Sequence, residues 1–283
     1  TIYLYYIDDY KPNVSLIINI CRIMHNISQQ FNSPIKNYGE ITIFAGLNNK
    51  IINKCPNNKH CNIPLSAKNI NSGATYEGLS VQVWRHEELT KVLVHELIHY
   101  YGFDFYTGDK NYNVIESYIK NTFCMEQKSF DRANESYTET LAIIIHSLII
   151  SKCTDMDFNK IIKTEIGFTL FQASKILKYF GATQINDVMK LNDKCNINII
   201  QRTSVISYYL VKCALLLSYN DFIEFIKTNG MIIESQKIID YNELIKKCIE
   251  NDYTNGIINN TIKFESNDSL INNTLRMSCF QIK

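Results

Sequence analysis

An α+β fold, with its strands early in the chain and a mainly helical remainder, is what this sequence predicts. Three observations carry it. Runs with strand-like alternation fall within the first 84 residues. Beyond them, apolar residues recur at three- and four-residue spacing in one segment after another. The composition is that of an ordinary globular chain, 46% hydrophobic and 20% charged over 283 residues, enough for one large domain or two closely packed lobes.

Residues 2–7 are a short β-rich run. Residues 14–31 carry Leu16, Ile17, Ile20, Ile23, Met24 and Ile27 at helical spacing, ended by Ser33-Pro34. Residues 40–47 alternate as a second strand. The polar stretch 48–71 holds Cys55, His60 and Cys61, and without an evident fourth ligand it reads as an ordinary loop rather than a structural metal site. After the turn signal Ser72-Gly73, Leu79, Val81 and Val83 alternate against Ser80, Gln82 and Trp84, which predicts a strand over 79–84, closed by Arg85-His86. A helix over 87–101 ends at Gly102, a residue suited to closing a helix in the left-handed conformation. Further helices are expected over 114–125, 135–153, 158–180, 204–218 and 221–228, and the Asn-rich tail beyond 250 predicts no definite element. No repeat and no separating linker is visible.

Twenty-nine Lys+Arg against 28 Asp+Glu leave a net charge of +1 without a basic block, so capture of nucleic acid or of an anionic membrane is not expected. The 44 Ile and 32 Asn indicate an AT-rich coding bias, which weakens Asn as a loop signal. Nine scattered cysteines, several inside apolar helical stretches, predict reduced thiols in a cytosol-like compartment. The apolar run 141–150 is short and broken by His146 and Ser147, so no membrane span is expected.

The chemistry gathers at His95-Glu96-Leu97-Ile98-His99. Residues four apart lie about 40° apart around a helix, so both imidazoles face one side and can share a zinc ion, with Glu96 adjoining to hold a water. Val92, Leu93, Val94, Leu97, Ile98, Tyr100 and Tyr101 make the helix apolar nearly all round, and buried ionisable groups need a compensating partner such as a metal. The alternative, a solvated surface helix, calls for a wide polar face that this segment lacks. A zinc that does chemistry takes three protein ligands and keeps one position open. Gly102 resembles the helix-ending glycine of the metzincins, whose third ligand would fall at Phe105, which cannot ligate; Asp104 or Asp109 leaves an aspartate-ligand variant open.

Downstream, Asn134-Glu135-Ser136-Tyr137-Thr138-Glu139 opens an apolar helix 35 residues after His99. An acidic first turn favoured by the helix dipole would explain it without function. The stretch also resembles the Asn-Glu-x-x-Ser-Asp pattern of thermolysin-like enzymes and the Glu-helix of gluzincins generally. That resemblance implies Glu135 as third ligand of one zinc ion per chain and Glu139, where Asp is commoner, as the group orienting a ligand histidine. It further implies a zincin-like mixed sheet with the motif helix over residues 1–106, then a mainly helical part, 107–283, carrying the ligand glutamate. The strand 79–84 would be the antiparallel edge, offering Leu79, Val81, Gln82 and Val83 to an extended peptide. Divergent members of this kind occur in large DNA viruses or protists.

The implied activity is that of a zinc metallopeptidase acting on a peptide or protein, with Glu96 as general base and Tyr208, first choice among 18 tyrosines, stabilising the oxyanion. A packing role for Tyr208 is the competing reading. Two rival functions stay open: a structural or binding protein, for instance a virion component whose zinc stabilises the fold, and a hydrolase of a non-peptide amide. A cytoplasmic or virion location is expected. The sequon Asn134-Glu135-Ser136, falling at the expected site where a glycan would be ruinous, speaks against secretion. His146, eleven residues after Glu135 and some 16 Å along the helix, is expected to be a satisfied core histidine.

Overall fold

The computed structural model describes residues 1–7, 11–37, 39–52, 63–191, 194–264 and 266–281. It is a mixed α and β structure with one four-stranded sheet and a helical C-terminal part. The strands are β1 (Ile2–Tyr6), β2 (Glu40–Ala45), β3 (Gly73–Tyr76) and β4 (Ser80–Val83), in the order β1-β2-β4-β3. β1, β2 and β4 are parallel, and β3 is antiparallel to β4. A parallel pair needs a crossover. For β1 and β2 it is α1 (Val14–Gln30), whose Asn13 cap accepts from the amide of Leu16 and which buries Leu16, Ile17, Ile20 and Met24.

Alternation puts Ile41, Ile43 and Ala45 of β2 and Val81 and Val83 of β4 into the core. Against that side lies α3 (Leu89–Tyr100), packed on β3, β4, α1 and α5 (Asn134–Thr154). Both α3 and α5 are buried on nearly every side, and one hydrophobic core runs through both halves of the chain. The start of α3 is held unusually: Glu88 has left-handed backbone (φ 59) and makes no side-chain cap. Its carboxylate instead accepts from the amides of Met277 and Ser278 and pairs with Lys50 at 2.9 Å, so residues 274–278 are strapped to the base of the helix.

The edge of the sheet is not where the sequence suggested. Gly73–Tyr76, too short to stand out from a turn signal, forms β3 and pairs with β4 through a tight turn in which Gly78 takes φ 67. β4 is therefore hydrogen-bonded on both sides, and Val81, Gln82 and Val83 have no free strand edge to offer. Leu79 lies in the turn, 71% exposed. These four residues are not a peptide track.

The later helices are α4 (Tyr112–Thr122), α5, α6 (Phe158–Phe180), a π-helical turn (Ile206–Val211) running into α7 (Lys212–Leu217), and α8 (Tyr219–Asn229). α9 (Ser235–Ile249) follows where no helix was expected, and the tail beyond residue 250, expected to hold no definite element, contains α10 (Asp252–Ile262). A short α2 (Ala67–Ile70) precedes β3, and α11 (Ser269–Asn273) precedes the strap. One pair departs from the expectation of reduced thiols: Cys124 and Cys195 form a disulfide, with Cα atoms 5.7 Å apart. Cys124, two residues past the end of α4, takes φ 48, and the bond from Ile199 N–H to its carbonyl brings the two loops together. Cys21, Cys153, Cys213, Cys248 and Cys279 are free. Cys55, His60 and Cys61 lie outside the described residues. Among the described residues, no helix is long and apolar enough to cross a membrane.

Candidate metal centre

α3 and α5 run against each other so that the first turn of α5 meets the last turns of α3. Glu135 is thereby brought to His95 and His99. The two imidazole Nε2 atoms are 3.1 Å apart, and Glu135 Oε2 is 3.3 Å from His95 Nε2 and 3.2 Å from His99 Nε2. One ligand atom from each lies within 4.8 Å of the others, a group able to hold a metal ion. Three ionisable side chains so close, two of them buried and His99 half-buried, fit a cation better than they fit each other.

The second nitrogen of each ring faces a carboxylate, which leaves both Nε2 atoms toward the centre. His99 Nδ1 donates to Asp104 Oδ2 at 2.8 Å, and the Asn134 amide donates to the same oxygen at 2.6 Å. Asp104, open from the sequence as a ligand, thus orients His99 instead of standing among the three grouped side chains. His95 Nδ1 stands 2.9 Å from Glu139 Oε1. Glu139 in turn meets two buried cations, Lys91 and, at 3.5 Å, Lys212. Burial alone would raise the Glu139 carboxyl, but Lys91, Lys212 and His95 hold it well below the usual carboxylate range. Glu135 is likewise held low, its burial outweighed by His99 and His95.

Glu96 faces the same cleft and is placed by β3. Thr75 Oγ1 donates to Glu96 Oε2 at 2.7 Å, and Gly73 lies so close that a methyl group there would stand 2.4 Å from Oε1. Burial pushes this carboxyl above its ordinary range, with His95 and His99 opposing. Neither Gly73 nor Thr75 stands out in the sequence, where Ser72-Gly73 reads as a turn; only the pairing of β3 with β4 brings them to the helix.

Tyr208 reaches the site from the π-helical turn, its ring 6.3 Å from that of His95 and its hydroxyl against Glu135. Burial, then Glu135, Glu139 and Glu96, raise its pKa well above the ordinary value, so the phenol keeps its proton and remains a donor. The turn is anchored by a buried carboxyl: Ser207 Oγ donates to Asp131 Oδ2 at 2.7 Å, and Gln201 Nε2 donates to Oδ1 at 3.0 Å. Burial pushes Asp131 up to about 6. π-helical turns occur frequently at functional sites.

The cleft, about 500 Å³, is lined on one side by residues 71–75 and on the other by Asp104, Tyr106, Asn134 and Ile238. Trp84 N–H donates to the Ser72 carbonyl, so alternation along the antiparallel pair turns the backbone groups of Ala74 and Tyr76 to β4 and those of Gly73 and Thr75 outward. Among the described residues no strand pairs that outer edge. His146 is a core residue: it is fully buried, 2.9 Å from Thr90 Oγ1, and burial pushes its pKa down to about 3. Arg85 is structural too, its guanidinium donating to the carbonyls of Asn71 and Lys68 at 3.2 and 2.6 Å.

No family model and no solved structure matches the chain. It is 26% identical over 203 residues to R210, an uncharacterised protein of Acanthamoeba polyphaga mimivirus; the match covers 65% of this chain, which spans about half (50%) of that relative's length.

Proposed function

We propose that this chain is a zinc metallopeptidase of the gluzincin type. The observation that carries the reading is the carboxylate of Glu96, held by Thr75 in the cleft beside a His95, His99 and Glu135 triad whose outer nitrogens each face a carboxylate. A metal that only stabilises a fold has no use for a general base fixed at its side.

His95, His99 and Glu135 would hold the ion, and an N,N,O set suits zinc. When bound, zinc supplies a Lewis acid that polarises a carbonyl and acidifies water toward neutrality. The chain's own groups do the rest. Glu96 takes the proton of the attacking water and returns it to the leaving amine; its raised pKa suits both transfers. Tyr208, protonated and against Glu135, is the donor for the developing oxyanion. Asp104 and Glu139 keep the two imidazoles in the tautomer and direction that coordination needs. The unpaired edge of β3 supports an extended peptide as the substrate, since Gly73 and Thr75 can add one strand by main-chain hydrogen bonds.

The test is Glu96→Gln, in which the amide keeps shape but cannot accept a proton. Purified protein is expected to bind one zinc per chain in both forms, and the variant to lose hydrolysis of a peptide mixture read by mass spectrometry. Equal hydrolysis by both forms would remove Glu96 from the chemistry and sink the mechanism. Stoichiometric zinc with no hydrolysis by the unaltered chain would favour the structural role or a non-peptide amide.

A further inference from the structure

Most charged side chains lining the cleft are engaged. Lys50 pairs with Glu88, Lys91 with Glu139, and Asp104 with His99. Asp109 accepts from the Asn111 amide and from Ser235 Oγ. Two are not: Glu77 and Arg132 line the same cleft, both are exposed, and among the described residues neither has an ion-pair partner. The Arg132 guanidinium has only the ring of Phe130 beneath it, at 5.4 Å.

Their places are opposite. Glu77 directly follows the last residue of β3 and lies against Gly102 beyond the end of α3. Arg132 is tied to the start of β3: its amide donates to Ser204 Oγ at 3.0 Å, and the neighbouring Thr203 donates to Asn71 Oδ1 at 2.8 Å, two residues before the strand. The unpaired edge between them is a strand of four residues, about 13 Å long at the usual rise per residue. A negative charge at one end of a short strand edge and a positive charge at the other complement a peptide of similar length running antiparallel to it.

We propose that the cleft receives short peptides by their end charges, a carboxylate at Arg132 and an ammonium at Glu77, with the chain antiparallel to β3. The proposal rests on the peptide reading above. The carboxylate can come from the C-terminus or from an Asp or Glu side chain, and the ammonium from the N-terminus or a Lys side chain.

Calorimetry on the zinc-loaded Glu96→Gln chain separates these cases without turnover. Tetraalanine with both ends free is compared with its C-terminal amide, its N-acetyl form, and Ala-Ala-Ala-Asp amide. Amidation is expected to weaken binding about fivefold, the upper range for an ion pair between exposed groups, and Arg132→Gln to abolish the difference between acid and amide. Glu77→Gln is expected to abolish the difference between free and acetylated forms. Recovery of affinity by the Asp amide would assign the carboxylate to a side chain, and its absence to the C-terminus, both within the proposal. Doubly free and capped peptides binding within twofold of each other, or Arg132→Gln still preferring the acid, would overturn it while leaving the peptide reading intact. No binding by any probe would overturn the peptide reading itself.

Discussion

Gly73 sets the position of Glu96, and replacing it by alanine measures how much that position matters. A methyl group at Gly73 would stand 2.4 Å from Glu96 Oε1 and 2.6 Å from both Cγ and Cδ, whereas ordinary contact begins at 3.4 Å. Something must yield by about 1 Å. The strand is the stiffer partner, since β3 is pinned to β4 along its four residues, so the carboxylate moves and its 2.7 Å bond from Thr75 is lost or lengthened. Overpacking of this kind costs roughly 1–3 kcal/mol of stability. A displacement of about 1 Å at a reacting group costs on the order of 100-fold in turnover. Gly73→Ala is therefore expected to keep zinc and to melt only a few degrees lower, yet to hydrolyse a peptide mixture about 100-fold more slowly. The assay pairs zinc analysis, thermal melting and mass-spectrometric turnover on one preparation. Turnover within threefold of the unaltered chain, with zinc bound and the fold intact, would refute the idea that β3 positions the base.

Two buried lysines near the base of α3 allow a paired comparison. Lys91→Met leaves Glu139 with Lys212 alone and Lys50→Met leaves Glu88 without its 2.9 Å partner, so each is expected to cost about 3–5 kcal/mol in chemical denaturation. Only Lys91→Met should also weaken zinc binding, by about 10–100-fold in chelator competition, because Glu139 is the group behind His95; equal zinc affinity in the two variants would show that Glu139 does not act on the metal. Gly167 sits inside α6 with nothing within 4 Å of an added methyl, and Gly167→Ala should raise stability by about 0.5–1 kcal/mol with no effect on zinc; a loss of stability would mean that the helix there is held by something other than its own propensity.

The residues of the candidate metal centre were legible in the sequence because their geometry is local. His95, Glu96 and His99 lie on one helix, where spacing alone fixes which side each faces, and Glu135 with Glu139 repeats the same logic on a second helix. Several helices were legible for the same reason: the apolar period of α1, α3 and α6 announces a buried face whatever lies opposite. What tertiary structure alone decided is everything that depends on which segment lies beside which. The edge strand is the clearest case. Val81 and Val83 alternate as any half-buried strand does, and nothing within residues 79–84 says whether a neighbour pairs on both sides; the four residues of β3, whose pairing supplies that neighbour, are too few to carry a period of their own. The same holds for Gly73 against Glu96, for Asp104 turned from candidate ligand to the partner of His99, and for Lys91 and Lys212 behind Glu139. Hydrogen bonds and ion pairs between distant segments leave no spacing in the chain to read, because their strength depends on the burial and alignment that only packing creates.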